Sequence, residues 1–500
     1  MRAARAVPTV LAVTLLLTAL GVAPATAGRP CVVTFHGETV EGTISSPPLP
    51  GMTVDVVGTY DDADLGVVAT TTSDAGGGFA FAFPCVAASA VVRVTDPTGY
   101  YPVTYGTASS DVEHAEGMWL GEGVDLGARS VRLTPPGRFV PVEPTRVIDT
   151  RDDAEGPLGP GERARFLLDD LPDDVNAVVL NLTATRGTAP TSFVSALWYE
   201  HAEPDTSVLN PSAGRDVANL VTLPVSRYSE SGQYEVILYN NAGFTHVVAD
   251  LAGFYSMVEG AGFEPVSPQR VLDTRSTTPL GPRTTRDLVL AGPGGHAPPG
   301  AVAVAVTITS TRATARTSYV SAYPSDALHG TSTSVLNAYR GDDVPNLAVV
   351  PLGADGAITL YNDQGTTHLV VDVVGWFVET GGADYYPIIA RRADGSGPAG
   401  PGSTLRFSVQ DVGATVRDDA VAMALTLTTT RARTPSFLTV HPTGQARPWA
   451  SNANARPGAD VATGVLTALG PGFSVYNDRG PLVALVDVSG YFAVNGPAGD

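Results

Sequence analysis

The chain is 500 residues long, which at about 150 residues per domain implies three or four domains rather than one small core. Its 50 acidic residues outweigh 30 basic ones for a net charge of −20, and every basic residue is Arg, with no Lys; such a balance repels nucleic acid and anionic lipid. With 43% hydrophobic and 16% charged residues, 54 Gly and 40 Pro, the composition excludes a disordered, collagen-like or low-complexity chain.

Arg2 and Arg5 precede an apolar run from Val7 to Val22 centred on Leu15-Leu16-Leu17, and Ala25-Thr26-Ala27 supplies a small-x-small cleavage pattern. This predicts a signal peptide over residues 1–27 and a secreted, extracellular protein, free or associated with the cell surface. The apolar part is short for a membrane span and Pro8 and Pro24 flank it, no later stretch is apolar enough to span, and Gly496 to Asp500 carry no hydrophobic tail, so no transmembrane anchor is expected. The only two cysteines, Cys31 and Cys85, are expected to form a disulfide in an exported chain. A loop of about 54 residues closed in this way is worth about 4 kcal/mol in the chain-entropy account.

Residues 28–137 read as one β-domain. Alternating runs predict strands over 51–57, 67–72, 78–83 and 90–95. The turn Ser73-Asp74-Ala75-Gly76-Gly77-Gly78-Phe79 supplies the Asp and Gly a tight reversal needs, after which Phe79 and Phe81 point to one face. With Pro50-Gly51-Met52-Thr53-Val54 upstream, this stretch resembles the transthyretin-like, carboxypeptidase-regulatory-like domains, Ser73 replacing their usual Thr. The resemblance implies a β-sandwich accessory domain with no chemistry of its own.

The rest is one unit of about 120 residues written three times. Arg146-Val147-Ile148-Asp149-Thr150-Arg151 matches Arg270-Val271-Leu272-Asp273-Thr274-Arg275. Ser207-Val208-Leu209-Asn210 matches Ser334-Val335-Leu336-Asn337 and Ser451-Asn452-Ala453-Asn454. Leu238-Tyr239-Asn240 recurs at Leu360-Tyr361-Asn362 and Val475-Tyr476-Asn477. Each copy closes alike, with Asp250, Asp372 or Asp487 inside an apolar run that ends Gly253-Phe254, Gly375-Trp376 or Gly490-Tyr491. The units are 138–258, 259–381 and 382–500, the last with a degenerate start.

In the first copy about eight short strands are predicted, near Arg146 and over 164–168, 177–183, 193–198, 207–209, 220–225, 235–239 and 246–255. The fold class is therefore all-β, one small transthyretin-like β-sandwich followed by three tandem β-sandwich or jelly-roll-like repeats. Units of this size bury a core alone, which predicts beads on a string. Short linkers are expected near Pro135-Pro136-Gly137, Glu259-Gly260-Ala261-Gly262 and Gly381-Gly382-Ala383. The combination of D-T-R, V-L-N, Y-N and V-D-V-x-G-Y-F motifs resembles tandem repeats of exported proteins of high-GC actinobacteria, and implies location and architecture without a specific reaction.

A lone carboxylate in an apolar strand is expensive. Asp250, Asp372 and Asp487 are therefore expected to pair with the Arg closing each opening strand, Arg151, Arg275 and Arg392, as structural ion pairs. A paired-acid site is disfavoured, because Asp149 and Asp273 align with Ala390 in the third copy. Asn240, Asn362 and Asn477 read as turn caps. Asn210, Asn337 and Asn454 precede loops and read as loop-entry caps, with a ligand-facing role as the alternative. Acidic doublets such as Asp173-Asp174, Asp342-Asp343 and Asp418-Asp419 lack the alternating spacing of a calcium loop. No G-x-S-x-G or H-E-x-x-H is present, and His246 and His368 are Val483 in the third copy, so no catalytic residue, metal site or cofactor is assigned.

Three loops place an Arg between Thr residues, Arg186, Arg312 and Arg431, each followed by an aromatic at Phe193, Tyr319 or Phe437. These arginines are the candidate binding residues, for a protein partner or a cell-wall glycan. The function read from the sequence is a non-enzymatic extracellular interaction or adhesion protein. The alternatives are a carbohydrate- or wall-binding array, against which stands the mismatch of Trp198, Trp376 and Trp449 between copies, and a hydrolase of unrecognised type.

Overall fold

The computed structural model describes residues 32–41, 49–60, 63–84, 89–95, 97, 104–105, 118–119, 125–133 and 135–494, less 153–155, 198–201, 203, 229–230, 293–294, 328–332 and 413–415. Residues 1–27, expected to be a signal peptide, and Cys31 and Cys85, expected to be bridged, lie outside the described residues.

Two sheets make up the described N-terminal segment. Val32–Glu41 runs between Gly78–Pro84 and, in parallel, Asp125–Leu133; Thr53–Tyr60 runs between Ala63–Thr72 and Ser89–Thr95. Val54, Val56, Val92, Val94 and Phe79 are buried. The Asp74 carboxylate accepts the Gly76 and Gly78 amides at 2.8 and 2.9 Å, closing the expected turn.

The three repeats share one topology, clearest in the second: β1 (Gly262–Asp273), β2 (Thr284–Val289), β3 (Ala301–Thr311), β4 (Thr317–Pro324), β5 (Leu336–Tyr339), β6 (Val344–Pro351), β7 (Ala357–Asn362) and β8 (His368–Val378). One sheet has the order β1-β8-β3-β6 and the other β2-β7-β4-β5, which is the strand order of a jelly roll. The third repeat repeats both orders, and the first repeats them with its fifth strand reduced to a bridge between Val194 and Leu209. Each sandwich encloses its own apolar core.

A fourth core lies between them, built from the outer faces of the three β1-β8-β3-β6 sheets. The central strands explain it. In β3, Val304, Val306 and Ile308 point into the repeat's own core while Ala303 and Ala305 point outward. The third copy does the same with Met423 and Leu425 inward and Ala422 and Ala424 outward. Small outward side chains let three sheets approach one axis, and the strands are buried on both faces.

Six rings close around that axis. The aromatic opening each repeat packs on the aromatic ending another: Phe139 on Phe377 at 4.2 Å between centroids, Phe263 on Phe492 at 4.5 Å, and Tyr385 on Tyr255 at 4.3 Å. Three reciprocal backbone pairs, Phe139 with Ala261, Phe263 with Ala383 and Gly137 with Tyr385, bond the entry segments in a ring at 2.8–2.9 Å. The beads-on-a-string expectation is therefore corrected: the three repeats are one body. The segments read as linkers supply Gly137, Ala261 and Ala383 to that ring.

Candidate functional site

Three carboxylates are buried inside the closing strands, where a lone charge is costly. Asp250, Asp372 and Asp487 are each 2% exposed, and each faces an Arg directly across the β1–β8 ladder. In the third repeat that Arg is Arg392, its Nε donating to Asp487 Oδ1 at 2.9 Å. In the other two it is not the expected Arg151 or Arg275 but Arg146, at 2.7 Å from Asp250, and Arg270, at 2.8 Å from Asp372. The reason is register. The opening strands end at Asp149 and Asp273, so the final Arg of each motif lies past the ladder and curls back onto Asp149 or Asp273, with Nη2–Oδ2 at 2.5 Å. Counted from the aromatics Phe139, Phe263 and Tyr385, Arg392 matches Arg146 and Arg270, and Ala390 matches Pro144 and Pro268 rather than the acids.

Burial pushes the three acids above the ordinary carboxylate range, and the paired guanidinium draws each back. Hydrogen bonding from Arg151 holds Asp149 down at about 2, and Arg275 holds Asp273 lower still. The pairs also join repeats. The Ser334 backbone bonds to Asp250, the Ser207 backbone to Asp487, and Arg270 Nη2 donates to Trp449 O at 2.7 Å. The Ser-initiated motif of one repeat thus closes over the acid of another.

Asn240, Asn362 and Asn477 are fully buried and fully bonded. Asn362 Nδ2 donates to the carbonyls of Leu280, Gly281 and Gly365 at 2.8–3.3 Å and its Oδ1 accepts from Ser318 Oγ at 2.9 Å; the other two copies do the same through Ser192 and Ser436. These asparagines tie a neighbouring loop to the turn, and the serine partners were not visible in the sequence.

Arg186, Arg312 and Arg431 each follow directly on the third strand of their repeat. All three are exposed and left-handed, with φ of 54°, 53° and 55°. The strands they terminate pair with the starts of the sixth strands, so the three lie on separate lobes at one end of the body. At that end a cavity of about 50 Å³ sits on the axis, lined by Asn210, Asn337 and Asn454. Asn454 Nδ2 donates to Asp343 O at 3.0 Å, whereas the Oδ1 atoms of Asn210 and Asn337 are buried without a protein partner. These asparagines line the axis rather than cap loop entries.

The acidic doublets are engaged by neighbours. Asp173 pairs with Arg227, Asp342 with Arg215 and Arg456, and Asp419 with Arg417. Among the described residues no group of three or more His, Cys, Asp or Glu is arranged to hold a metal ion. Of the three tryptophans in the repeats, Trp376 is core and Trp449 is 87% exposed, while Trp198 lies outside the described residues. Trp449 borders a second cavity, of about 310 Å³, on the seam between the second and third repeats. Sequence reading missed it because its walls come from two different repeats, Arg270 and Trp449 for instance lying 179 residues apart.

No helix among the described residues is long and apolar enough to cross a membrane. No known family model matches this chain, and no curated protein matches it. Among solved structures the chain is similar to one from "The Triple Jelly Roll Fold and Turret Assembly in an Archaeal Virus", at 10% identity over 72% of this chain and 91% of that one, with a TM-score of 0.17. It is also similar to one from "Life in the extremes: atomic structure of Sulfolobus Turreted Icosahedral Virus", at 12% identity, the same coverages and a TM-score of 0.16. At such scores the likeness carries no argument, and the jelly-roll assignment stands on strand order.

Proposed function

We propose that this chain is an exported, non-enzymatic interaction protein that adheres to an extracellular or cell-surface partner through a rigid three-lobed head. In this reading residues 1–27 are a signal peptide, Cys31 and Cys85 are bridged, and the N-terminal sandwich is a transthyretin-like accessory domain. The observation that carries it is the trio Arg186, Arg312 and Arg431. A left-handed conformation costs a non-glycine residue about 1–2 kcal/mol. Yet of the five described non-glycine residues with positive φ, these are three, at matching positions on three lobes. Strain retained at exposed, chemically able side chains is favoured by recognition rather than by folding. Fixed lobes then turn three weak contacts into one avid attachment to a protein or wall glycan.

The test is a pull-down of residues 28–500 on isolated cell wall and on immobilised surface proteins, beside a variant combining Arg186→Ala, Arg312→Ala and Arg431→Ala. Alanine meets the same left-handed cost, so stability should hold while attachment is lost. Equal retention by both proteins, or none by either, overturns the reading.

A further inference from the structure

The seam cavity offers more than a gap between packed lobes. Its floor is polar, from Arg270, Arg275, Asn454 and Asp343, whose carboxylate accepts from Thr311 Oγ1, and its rim is aromatic, from Phe437 and Trp449. The indole of Trp449 stands in solvent, but the backbone beneath it is held firmly. Trp449 O accepts from Arg270, Ala450 O accepts from Thr439 Oγ1 at 2.6 Å, and the Asn452 side chain accepts the Val440 amide at 2.8 Å. A large apolar side chain displayed on so fixed a support marks a contact surface. The same position, two residues before the repeated Ser, is Asp205 in the first repeat and Ser332 in the second. The ring is thus an addition of the third repeat alone.

Charge narrows the ligand. Arg270 is committed to Asp372 and Asp273, and Arg275 to Asp273, so both present oriented N–H groups with their charge already balanced. Arg447 differs. Its guanidinium lies over the Tyr476 ring at 4.2 Å, with Trp449 at 5.8 Å and Phe437 at 5.9 Å. Among the described residues no carboxylate lies within ion-pair distance of it. A guanidinium placed over aromatic faces without a carboxylate partner can turn N–H groups to a planar anion. A chain of net charge −20 repels an extended polyanion, nucleic acid and long polyuronate alike, which restricts the ligand to one or two negative charges. A bare phosphate would leave the indole unused, and an apolar peptide would strand the polar floor.

From this geometry we infer that the seam groove binds a short glycan, with a pyranose ring stacked on Trp449 and the ring's carboxylate paired with Arg447. Sugar hydroxyls then meet Arg270, Arg275 and Asn454, and 310 Å³ accommodates one or two sugar residues. The charge-assisted contact supplies selectivity for uronic acids over neutral sugars. The site deepens the reading of an interaction protein but does not use Arg186, Arg312 or Arg431.

The experiment is titration calorimetry with tryptophan fluorescence. The probes are oligosaccharides of galacturonic, glucuronic and mannuronic acid and their carboxyl-reduced neutral counterparts. At least one uronic-acid oligomer should bind saturably and perturb indole emission. Trp449→Ala, Arg447→Gln and carboxyl reduction should each weaken binding on the order of tenfold or more, with melting temperature unchanged and Trp449→Phe largely restoring affinity. A variant combining Arg186→Ala and Arg431→Ala, which leaves Arg312 and its hydrogen bond to Arg275 O in place, should bind the oligosaccharide as the parent does, so this site and the loop reading fail independently. Absence of saturable binding to any uronic-acid oligomer overturns the inference, as does equal affinity for reduced sugar or for Trp449→Ala.

Discussion

Asp250 has two arginines within five residues of one another to choose from, Arg146 and Arg151, and the choice is made by strand geometry rather than by charge. Arg146 stands opposite it in the ladder; Arg151 is past the strand end and spends itself on Asp149. Removing Arg146 would leave an almost fully buried carboxylate without its counter-ion. Arg146→Ala should therefore cost about 2–4 kcal/mol, somewhat under the fully buried value because the guanidinium is a third exposed. Arg151→Ala breaks a local pair and should cost about 0–1 kcal/mol. Urea denaturation of both variants checks this, and equal costs would return the structural role to Arg151. The acid was legible in the sequence because an Asp in an apolar run must be paired. Its partner was not, because two arginines share the motif and the third copy, which has Arg391-Arg392 and no D-T-R, aligns on either until the opening aromatic is used as origin.

At the scale of strands, the glycine before the final aromatics is as regular as the acid and has a different cause. A Cβ at Gly375 would fall 2.3 Å from the Phe263 ring, one at Gly253 2.4 Å from Phe139, and one at Gly490 2.2 Å from the Tyr385 hydroxyl. The last strand of each repeat must be bare where the first strand's ring crosses it. Gly375→Ala should therefore displace Phe263 from the central cluster and destabilise by about 1–3 kcal/mol. A thermal melt reads this; an unshifted midpoint would show that the ring has room to move. The repeated glycine was visible in the sequence, but its reason lies on a strand more than 100 residues away. Four N-terminal strands and seven of the eight in the first repeat were legible, since alternation and turn residues act locally, whereas Val32–Glu41 and Asp125–Leu133 were not read and 207–209 is only a bridge. Two-sided burial was also written there, in Ala301-Val302-Ala303-Val304-Ala305-Val306, where small and large residues alternate with no polar face.

For the whole molecule, the central core decides whether the repeats are three folding units or one. Each sandwich has a core of its own, which alone would give three independent transitions in calorimetry. The shared core changes the coupling. Phe377 of the second repeat touches Phe139 and Tyr255 of the first, and Phe263 of the second touches Phe492 of the third. Unfolding one repeat therefore strips buried aromatic surface from both others and opens the backbone ring through Ala261 and Ala383. Phe377→Ala should remove about 3–5 kcal/mol. The informative quantity is how that loss is distributed. If the head is one cooperative body, residues 135–494 melt in a single transition whose calorimetric and van't Hoff enthalpies agree, and Phe377→Ala lowers that whole transition. If the repeats are autonomous, the substitution moves about a third of the heat absorbed and leaves the rest in place. The closed ring of six aromatics and three backbone pairs favours the first outcome, and with it lobes whose loops keep fixed separations.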